Sequence, residues 1–425
     1  MAAVDAALEA VAPARPLPPL HRQPLFLRFW AAQAVSVFGD QISALAIPLT
    51  AIFVLHASTL EVGILGAMAW MPSLVVSLPA GLWIDARPHR RRVMIASDLL
   101  RAAVLATVPL LWWFDALTFW HLLVVTFSVG ALSVFFDLAN ASFAIALIPR
   151  PQYVEAQGRL MTTRSLSYIA GPSTAGFLVQ LFSAPVALVV DAGSFLFSAF
   201  ALRGTNIEEP PVERSDETSL RRLGEAFRLL LGDPLLRGSL LCSSTINLFN
   251  FVLWGIFVLF ATRTLGLSAA TIGVVLGVGA VGALVGALIA PRLGRRIGIG
   301  RAVVVGAILF PVPVVLFALA TGSHIVASTM LLVGEFWSSV GVMVFDINQN
   351  AVLTLSMPQA LRSRLVGAYR FVNYGVRPIG ALMGGVLGAT IGLRETIWVS
   401  VIGSTLGVVF LLFSPMPRLR EEDLA

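Results

Sequence analysis

Apolar runs of about 20 residues follow one another along almost the whole chain, and this feature constrains the fold more than any other. At a rise of about 1.5 Å per residue, such a run is long enough to cross the hydrocarbon core of a bilayer as a helix. The composition agrees, since 57% of the 425 residues are hydrophobic, only 12% are charged, and the mean hydropathy is +0.87. The sequence therefore predicts an all-α polytopic membrane protein.

The same helical hairpin recurs in the two halves of the chain. Phe136-Asp137 stands twelve residues before Pro149, and Asp346 stands twelve residues before Pro358. At about 1.5 Å per residue, each Asp lies about 18 Å into a predicted helix, near the middle of a bilayer. The repetition predicts 12 transmembrane helices in two six-helix bundles with inverted internal repeats.

Breaks in the hydrophobic pattern divide the chain into five predicted parts. These are a disordered cytosolic tail (1–22), the first six-helix bundle (23–202), a cytosolic linker (203–236), the second six-helix bundle (237–414) and a second cytosolic tail (415–425). In the linker, Leu220, Leu223, Phe227 and Leu230 fall on one helical face. They predict an amphipathic helix that lies on the cytosolic membrane surface.

The placement of Arg residues predicts the orientation in the membrane. The chain has no Lys, and its Arg residues concentrate in loops on one side, whereas the opposite loops hold only Arg263 and Arg394. Because cytosolic loops carry an excess of positive charge, the chain is predicted to cross the cytoplasmic (inner) membrane with both termini cytosolic. Without Lys there is no Walker A motif, so the chain by itself is not an ATP-driven pump.

Polar residues form a stripe on one face of the first, fourth, seventh and tenth predicted helices. The stripes comprise Gln33, Ser36, Asp40, Ser43 and Thr50; Thr126, Gly130, Ser133, Asp137 and Asn140; Ser243, Asn247, Asn250 and Trp254; and Glu335, Ser339, Asp346 and Asn350. Four stripes at equivalent places in two repeats predict a polar cavity, although hydrogen bonding between helices also produces such a stripe. The ninth helix, without a polar side chain between Val303 and Ala320, and the twelfth are predicted to face lipid.

With these features the chain resembles the major facilitator superfamily from about residue 25 to 415. Gly81-x-x-x-Asp85 followed by three consecutive Arg residues is similar to the family's signature between helices 2 and 3, and it departs from that signature at Ala86 and Pro88. By this resemblance, the gating residues of the loop are Gly81, Asp85, Arg90, Arg91 and Arg92.

The fifth predicted helix resembles the antiporter signature of drug exporters in this family. The matching positions are Gly158, Ser167, Gly171-Pro172 and Ala175-Gly176, with two Gly of the signature replaced by small residues. Small residues preserve close helix packing. The resemblance implies export, and it implies that Gly171, Pro172 and Gly176 gate the movement of the two halves. A Gly/Pro kink without directional meaning is the alternative.

Four acids in predicted spanning helices are candidates for proton coupling, namely Asp137, Asp40, Glu335 and Asp346. Acids inside a membrane are costly, and they mark proton or substrate pathways. Asp137 and Asp40 rank first, because they share one depth and Asp346 is expected to form an ion pair with Arg377. A structural, hydrogen-bonded carboxyl is the alternative for each of the two. Glu335 is either a proton or cation site or an interfacial residue.

The stripes also predict the residues that bind substrate, with Arg377 as the only deep base. The predicted members of this site are Gln33, Asn140, Asn247, Asn250, Trp254, Trp337, Asn350 and Arg377. Because acids outnumber bases, the site is predicted to suit neutral or cationic lipophiles better than polyanionic siderophores. No motif such as His-Glu-x-x-His or Gly-x-Ser-x-Gly occurs, and no enzyme activity, cofactor or metal is predicted.

Together these features predict a secondary active transporter that exports small amphipathic, drug-like or antibiotic-like compounds by proton antiport with alternating access. Asp98-x-x-Arg101 and Arg362-x-Arg364 are similar to the drug:proton antiporter branch, which holds macrolide-efflux and siderophore-export proteins. The alternatives are an exporter of siderophores or other metabolites and a proton-coupled uptake transporter. The predicted partners are a small-molecule substrate, protons and the lipid bilayer, without nucleic acid, and the chain is expected to be monomeric.

Overall fold

The computed structural model describes residues 18–207, 220–359 and 361–419, and every regular element within these ranges is a helix. The spanning helices of the first half are α1 (Pro24–Phe53), α2 (Thr59–Val75 continued by Ser77–Asp85), α3 (Arg90–Trp113), α4 (Phe119–Leu147), α5 (Tyr153–Leu181) and α6 (Ala184–Arg203). Those of the second half are α7 (Pro234–Trp254, Phe257–Leu259 and the π-helical turn Phe260–Thr264), α8 (Ala269–Ile297), α9 (Ile299–Leu309, Val312–Val314 and Val315–Leu319), α10 (His324–Ser356), α11 (Arg362–Thr390) and α12 (Leu393–Gly407 and Val409–Leu412). The predicted fold class, 12 helices in two bundles, is confirmed.

The two halves repeat one six-helix unit in the same order. α1 and α7 begin at Pro24 and Pro234, α5 and α11 begin at Tyr153 and Arg362, and the other pairs are separated by similar distances along the chain. The spacing is about 205 to 210 residues throughout, as the repeated Asp and Pro residues in the sequence indicated.

Side-chain caps define where several helices begin at the edge of the membrane. The hydroxyl of Ser58 accepts the backbone N–H of Glu61 at 3.3 Å, and the Glu61 carboxylate accepts the backbone N–H of Ser58 at 2.7 Å. Other first-turn N–H groups are accepted by the side chains of Thr118, Ser183, Asp233, Ser268 and Ser323. These caps satisfy N–H groups that a helix start leaves free, and lipid offers no substitute.

Two helices differ from the rest in composition, and both are the fifth of their half. Ten of the spanning helices are apolar enough by length and composition to cross a membrane, but α5 and α11 are not among them. Each has 29 residues, so composition and not length sets them apart. Both lie between the halves, α5 against α8 and α11 against α2, where protein replaces lipid on one side. Their lower apolarity follows from that position.

The halves meet closely at the ends of the helices that lie away from the linker, here called the distal face. Gly63 of α2 and Gly385 of α11 pack backbone to backbone, so that neither position has room for a Cβ atom. Gly176 of α5 packs in the same way on the backbone of Ala269 at the start of α8. Arg263 adds a hydrogen bond between the halves, donating from Nη2 to the carbonyl of Ala57 at 2.7 Å. The distal face is therefore shut.

At the opposite ends, the linker face, the same helices are less closely packed. Gly158 lies near the start of α5 on this face, and a Cβ atom there would meet no other atom within 4 Å. Gly81 of α2 and Gly367 of α11 are open in the same sense. Two described hydrogen bonds join the halves: Arg263 donates to the Ala57 carbonyl, and Ser173 donates to the Gly273 carbonyl. Both belong to the distal part. The two halves are thus closed at the distal face and open at the linker face.

The outward surfaces of α9 and α12 agree with the predicted contact with lipid. Large apolar side chains exposed there are Val305, Ile308, Val312, Leu319, Ile402, Leu406, Val409, Phe410 and Leu412. Trp113 and Trp120 are more than three-quarters exposed near the distal face, where amphipathic rings favour the lipid headgroup level.

The linker contains the predicted amphipathic helix, Leu220–Gly232. Leu230 is fully buried and the Phe227 ring packs edge-on against Phe371 of α11 at 6.5 Å, so this helix is attached to the second half. The side chains of Leu220 and Leu223 lie outside the described residues, as do residues 1–17 and 420–425 of the two predicted tails.

Candidate functional site

A cavity of about 760 Å³ lies between the two halves. Its walls come from α1, α2, α5, α7, α8 and α10, and α4 contributes only Thr126. The predicted set of helices 1, 4, 7 and 10 is therefore incomplete, because α2, α5 and α8 supply as much of the wall. These three helices carry small residues where the halves meet, and such residues leave room for a cavity without forming a polar stripe.

The cavity wall is mostly apolar, with rings from both halves and few polar groups. Trp70, Tyr168, Phe251 and Trp254 provide the rings. The polar side chains of the wall are Gln41, Ser43, Thr126, Ser165, Asn250, Glu335 and Ser339. Glu335 is the one carboxylate among these described wall residues, and no Arg is among them. Such a surface suits amphipathic compounds with a small number of polar groups.

Only two of the eight predicted substrate residues, Asn250 and Trp254, belong to the cavity wall. Gln33 of α1 donates a hydrogen bond to Asn140 of α4 at 2.8 Å. This is the hydrogen bonding between helices that also produces a polar stripe. Asn247 donates to the Ser243 carbonyl of its own helix at 3.0 Å. Trp337 is 47% exposed and packs on Phe336, and Asn350 is also exposed. Neither of them lines the cavity, and Arg377 does not line it either.

The predicted pair of Asp346 and Arg377 is not a contact ion pair in this state, although the two charges lie within electrostatic range of each other. The Arg377 guanidinium lies over three rings, 4.2 Å from the Tyr374 centroid, 4.7 Å from Trp70 and 5.0 Å from Phe251. No ion pair within 4.0 Å joins it to Asp346 in the part of the chain described. The reason is packing: α11 lies against α2 and α7, whereas α10 lies against α8 and α9. The ring faces stabilise the cation instead.

A second deep base, which sequence reasoning missed, lies at the centre of the first half. Arg101 of α3 is 2% exposed and forms ion pairs with Asp98 and, at 3.8 Å, with Asp40. It donates to Ser133 at 3.2 Å, and its guanidinium lies between the rings of Phe136 and Phe195. The prediction that Arg377 is the only deep base is therefore wrong. The i, i+3 spacing of Asp98 and Arg101 was the available signal.

Both of the acids ranked first for proton coupling, Asp40 and Asp137, lie within electrostatic range of Arg101. Asp137 lies within electrostatic range of Arg101 and of Arg164 on α5, and Asp40 is within range of Asp98, Asp137 and Asp191. We call Arg101 and these four Asp residues the Arg101 cluster. Asp98 and Asp191 are fully buried, whereas the Asp40 side chain is 41% exposed and Asp137 is exposed.

The cluster reaches the cavity through Ser43. This side chain belongs to the cavity wall and donates a hydrogen bond to Asp191, which also accepts one from Ser194 at 2.9 Å. Asp191 thus has the role of hydrogen-bond acceptor. Gln41, next to Asp40 in the chain, also lines the cavity. Acids and cavity are therefore joined by one hydrogen bond, from Ser43 of α1 to Asp191 of α6.

The second half contains a neutral hydrogen-bond network. The Tyr369 hydroxyl lies 2.5 Å from Ser243 Oγ and donates to the Ser239 carbonyl at 3.2 Å. Gln349 donates to Ser239 Oγ at 2.7 Å, and Asn373 donates to Ser243 Oγ at 3.2 Å. These bonds tie α7, α10 and α11 together without charge. The charged cluster of the first half has no counterpart among them.

The predicted gating residues fall into two groups. On α5, Pro172 lines the cavity and its backbone meets Gly273 of α8, while Gly171 packs on Gln41 and Gly176 on Ala269. Pro172 and Gly176 therefore lie where the halves meet, whereas Gly171 packs on α1 within the first half. In the loop between α2 and α3, the side chain of Asp85 lies outside the described residues. Arg91 donates to the Arg203 carbonyl at 3.4 Å, within its own half, and Arg92 is exposed.

The family profile described as Major Facilitator Superfamily matches residues 29–381 and, a second time, residues 240–424. The chain belongs to this superfamily. It is therefore a multi-pass membrane protein of a family of transporters. A curated relative, the multidrug efflux pump Tap of Mycolicibacterium fortuitum, is 29% identical over 436 residues, which cover 95% of this chain and 98% of the relative.

Two further comparisons agree with this family membership. Macrolide efflux protein A of Streptococcus pyogenes is 24% identical over 210 residues, or 48% of this chain and 51% of that protein. Among solved structures, a bacterial homologue of the iron transporter ferroportin in its inward-facing state superimposes with a TM-score of 0.73. Its sequence identity is 17%, with 91% of this chain and 98% of that chain covered, so this likeness shows the fold alone.

Proposed function

We propose that this protein exports small amphipathic, drug-like or antibiotic-like compounds in exchange for protons, by alternating access of the cavity to the two sides of the membrane. The observation that carries the proposal is the link from the cavity wall, through Ser43, to the Arg101 cluster. Efflux is supported by the names of the two relatives, one of which matches along nearly its whole length. The linker face is assigned to the cytosol because the Arg-rich loops lie on that side.

The charges of the Arg101 cluster provide the reason for proton binding. One guanidinium contacts Asp40 and Asp98, and two more carboxylates lie within its electrostatic range. Even with Arg164, which lies within range of Asp137 and Asp40, four ionised carboxylates would exceed the two positive charges, and such an excess is costly in a bundle surrounded by lipid. The cluster therefore holds at least one proton, and its titration belongs to the group as a whole.

Asp40 and Asp137 are the members that exchange this proton, because they are accessible while Asp98 and Asp191 are buried. With the linker face open, a proton leaves to the cytosol and a compound enters the cavity. Rocking of the halves on α5 and α8 then opens the distal face, where the compound leaves and a proton is taken up. Both termini remain cytosolic, residues 23–202 and 237–414 move as the two bodies, and the monomer suffices for the cycle.

Transport in membrane vesicles tests the proposal. Inverted vesicles with an acidic interior should accumulate ethidium and labelled erythromycin, and nigericin, which collapses the proton gradient, should abolish accumulation. Asp137→Asn should lose the proton-driven part and retain downhill exchange. Asp115→Asn, which removes a carboxyl from a distal loop, is the matched control and should transport like the parent. Accumulation in right-side-out vesicles alone would show uptake and contradict export.

A further inference from the structure

Glu335 occupies a position in the cavity that the proton cycle does not explain. It lies on α10 in the second half, whereas the Arg101 cluster is formed by α1, α3, α4 and α6 of the first half. Its side chain forms part of the cavity wall and is 9% exposed. Ser339 Oγ, at 3.3 Å from Oε1, is its one hydrogen-bond partner in the described residues, and no Arg lies within 4.0 Å.

The position of the Glu335 carboxylate depends on the absence of a side chain at Gly279. A Cβ atom on Gly279 of α8 would lie 2.6 Å from Glu335 Oε1 and 2.7 Å from its Cγ, closer than real Cβ atoms approach. Both residues belong to the cavity wall, so Gly279 forms a niche in which the carboxylate lies with one long hydrogen bond. Most of its capacity to accept hydrogen bonds is therefore unused by the protein.

Rings from both halves surround the rest of the cavity. Trp70 and Phe251 contact each other edge to face at 5.0 Å, one from α2 and one from α7, and Trp254 and Tyr168 complete the aromatic wall. Aromatic faces attract organic cations, and they also offer the apolar area that an amphipathic compound needs. Two described bases contact these rings without lining the cavity: Arg377 lies over Trp70 and Phe251, and Arg164 lies over Tyr168.

From this geometry we propose that Glu335 is a binding site for the charge of a monovalent, lipophilic organic cation, and that Gly279 is the residue that positions its carboxylate. The cation is a tertiary or quaternary ammonium, or an equivalent phosphonium, with its apolar groups on the aromatic wall. The inference rests on the proposed export function and names its substrate class. It assigns Glu335 to substrate recognition and leaves proton exchange to the first half.

Binding measurements on the purified full-length protein test the assignment. The probes are tetraphenylphosphonium, a lipophilic cation, and triphenylphosphine oxide, a neutral compound of similar shape, each titrated against intrinsic Trp fluorescence at fixed pH. Glu335→Gln should raise the Kd of tetraphenylphosphonium by about tenfold or more, since one partner of a desolvated charge pair is lost. The Kd of triphenylphosphine oxide should change by less than about twofold.

Two further variants separate recognition from general damage to the fold. Gly279→Ala leaves the carboxylate present but displaces it, so it should weaken binding of the cation by a smaller factor and spare the neutral probe. Glu155→Gln removes a carboxylate on the linker face and should bind both probes like the parent. Because the neutral probe reports an intact cavity, its unchanged Kd also shows that each variant is folded.

Four results would overturn the inference. Unchanged affinity of Glu335→Gln for tetraphenylphosphonium would show that the carboxylate does not bind the cation. Equal weakening of both probes would show that Glu335 only supports the cavity. A parent protein that binds the neutral probe but not the cation would reject the substrate class and leave export of amphipathic compounds standing, whereas binding of neither probe counts against both proposals.

Discussion

At the scale of single residues, the feature with the largest energetic consequence is the unequal distribution of charge between the halves. Arg101 is buried with Asp98 in the first half, while Tyr369, Ser243 and Gln349 form uncharged hydrogen bonds in the second. Neutral bonds hold helices together at little cost in lipid, whereas a buried ion pair is expensive unless it is completed. A completed cluster of buried charge at this cost indicates function in the first half.

This difference predicts how the two deep Arg residues respond to substitution. Arg101→Gln leaves Asp98 as an unpaired buried charge, which costs about 3–5 kcal/mol. The variant should unfold at a clearly lower temperature than the parent, and the double variant Arg101→Gln/Asp98→Asn should recover much of the loss. Thermal unfolding of the purified protein, followed by fluorescence, measures both.

Asp346 and Arg377 provide the matched control for this cycle. They lie within electrostatic range of each other but form no ion pair within 4.0 Å, so the coupling between Asp346→Asn and Arg377→Gln should be weaker than that between Arg101→Gln and Asp98→Asn. Strong rescue in the Asp346/Arg377 double variant, or none in the Arg101/Asp98 double variant, would contradict the contacts described here.

At the scale of elements, α5 and α11 carry the contact between the halves. Both contain Pro inside the helix, and both use small residues to approach the other half. The antiporter-like segment of α5 is divided between the two ends of the molecule, because Gly176 packs on α8 at the distal face and Gly158 has open space at the linker face. A movement that opens the distal face must separate the contact of Gly176 with α8 at that same end.

The division of α5 predicts different outcomes for two chemically identical substitutions. Gly176→Ala places a Cβ atom against the Ala269 backbone and should shift the population towards a state with the distal face open. Gly158→Ala meets no atom within 4 Å and should leave the population unchanged. Spin labels on Cys residues introduced at Asp115 and Gly322, in a Cys242→Ser background, measure the distance across the distal face. An unchanged distance distribution in Gly176→Ala would refute the role of this contact.

At the scale of the whole molecule, a cavity between two repeated bundles, shut at one face, is the arrangement that alternating access requires. Arg263 of one half and the Ala57 carbonyl of the other close the distal face beside the glycine contacts. Arg-rich loops at the linker face predict that this face is cytosolic.

The orientation predicts which residues a membrane-impermeant thiol reagent reaches in intact cells. Single Cys residues at Asp115 and Gly322, on distal loops, should react from outside, and one at Ser215, in the linker beyond the described residues, should react only after the cells are opened. Reaction of the Ser215 position from outside would invert the topology, and with it the assignment of the linker face to the cytosol.

Most of the fold was accessible from the sequence, because the signals concerned are local. A helix that crosses a bilayer must be long and apolar, so the length of each run predicts each helix and the Arg distribution predicts its direction. The repeated Asp and Pro residues and the signature on α5 were enough to predict the family, now confirmed. The polar stripes placed Asn250, Trp254 and Glu335 on the cavity wall, because the periodicity of a helix is also a local signal.

The site itself was decided by which helices become neighbours. Sequence order suggested that α10 and α11 touch, and so paired Asp346 with Arg377, but the bundle places α2 and α7 beside α11. The same arrangement brings Asp40 from α1 to Arg101 of α3, and Gly279 from α8 to Glu335 of α10. Helical periodicity specifies the face on which a residue lies, but only tertiary packing specifies what that face meets, because each helix has several partners of equal apolarity.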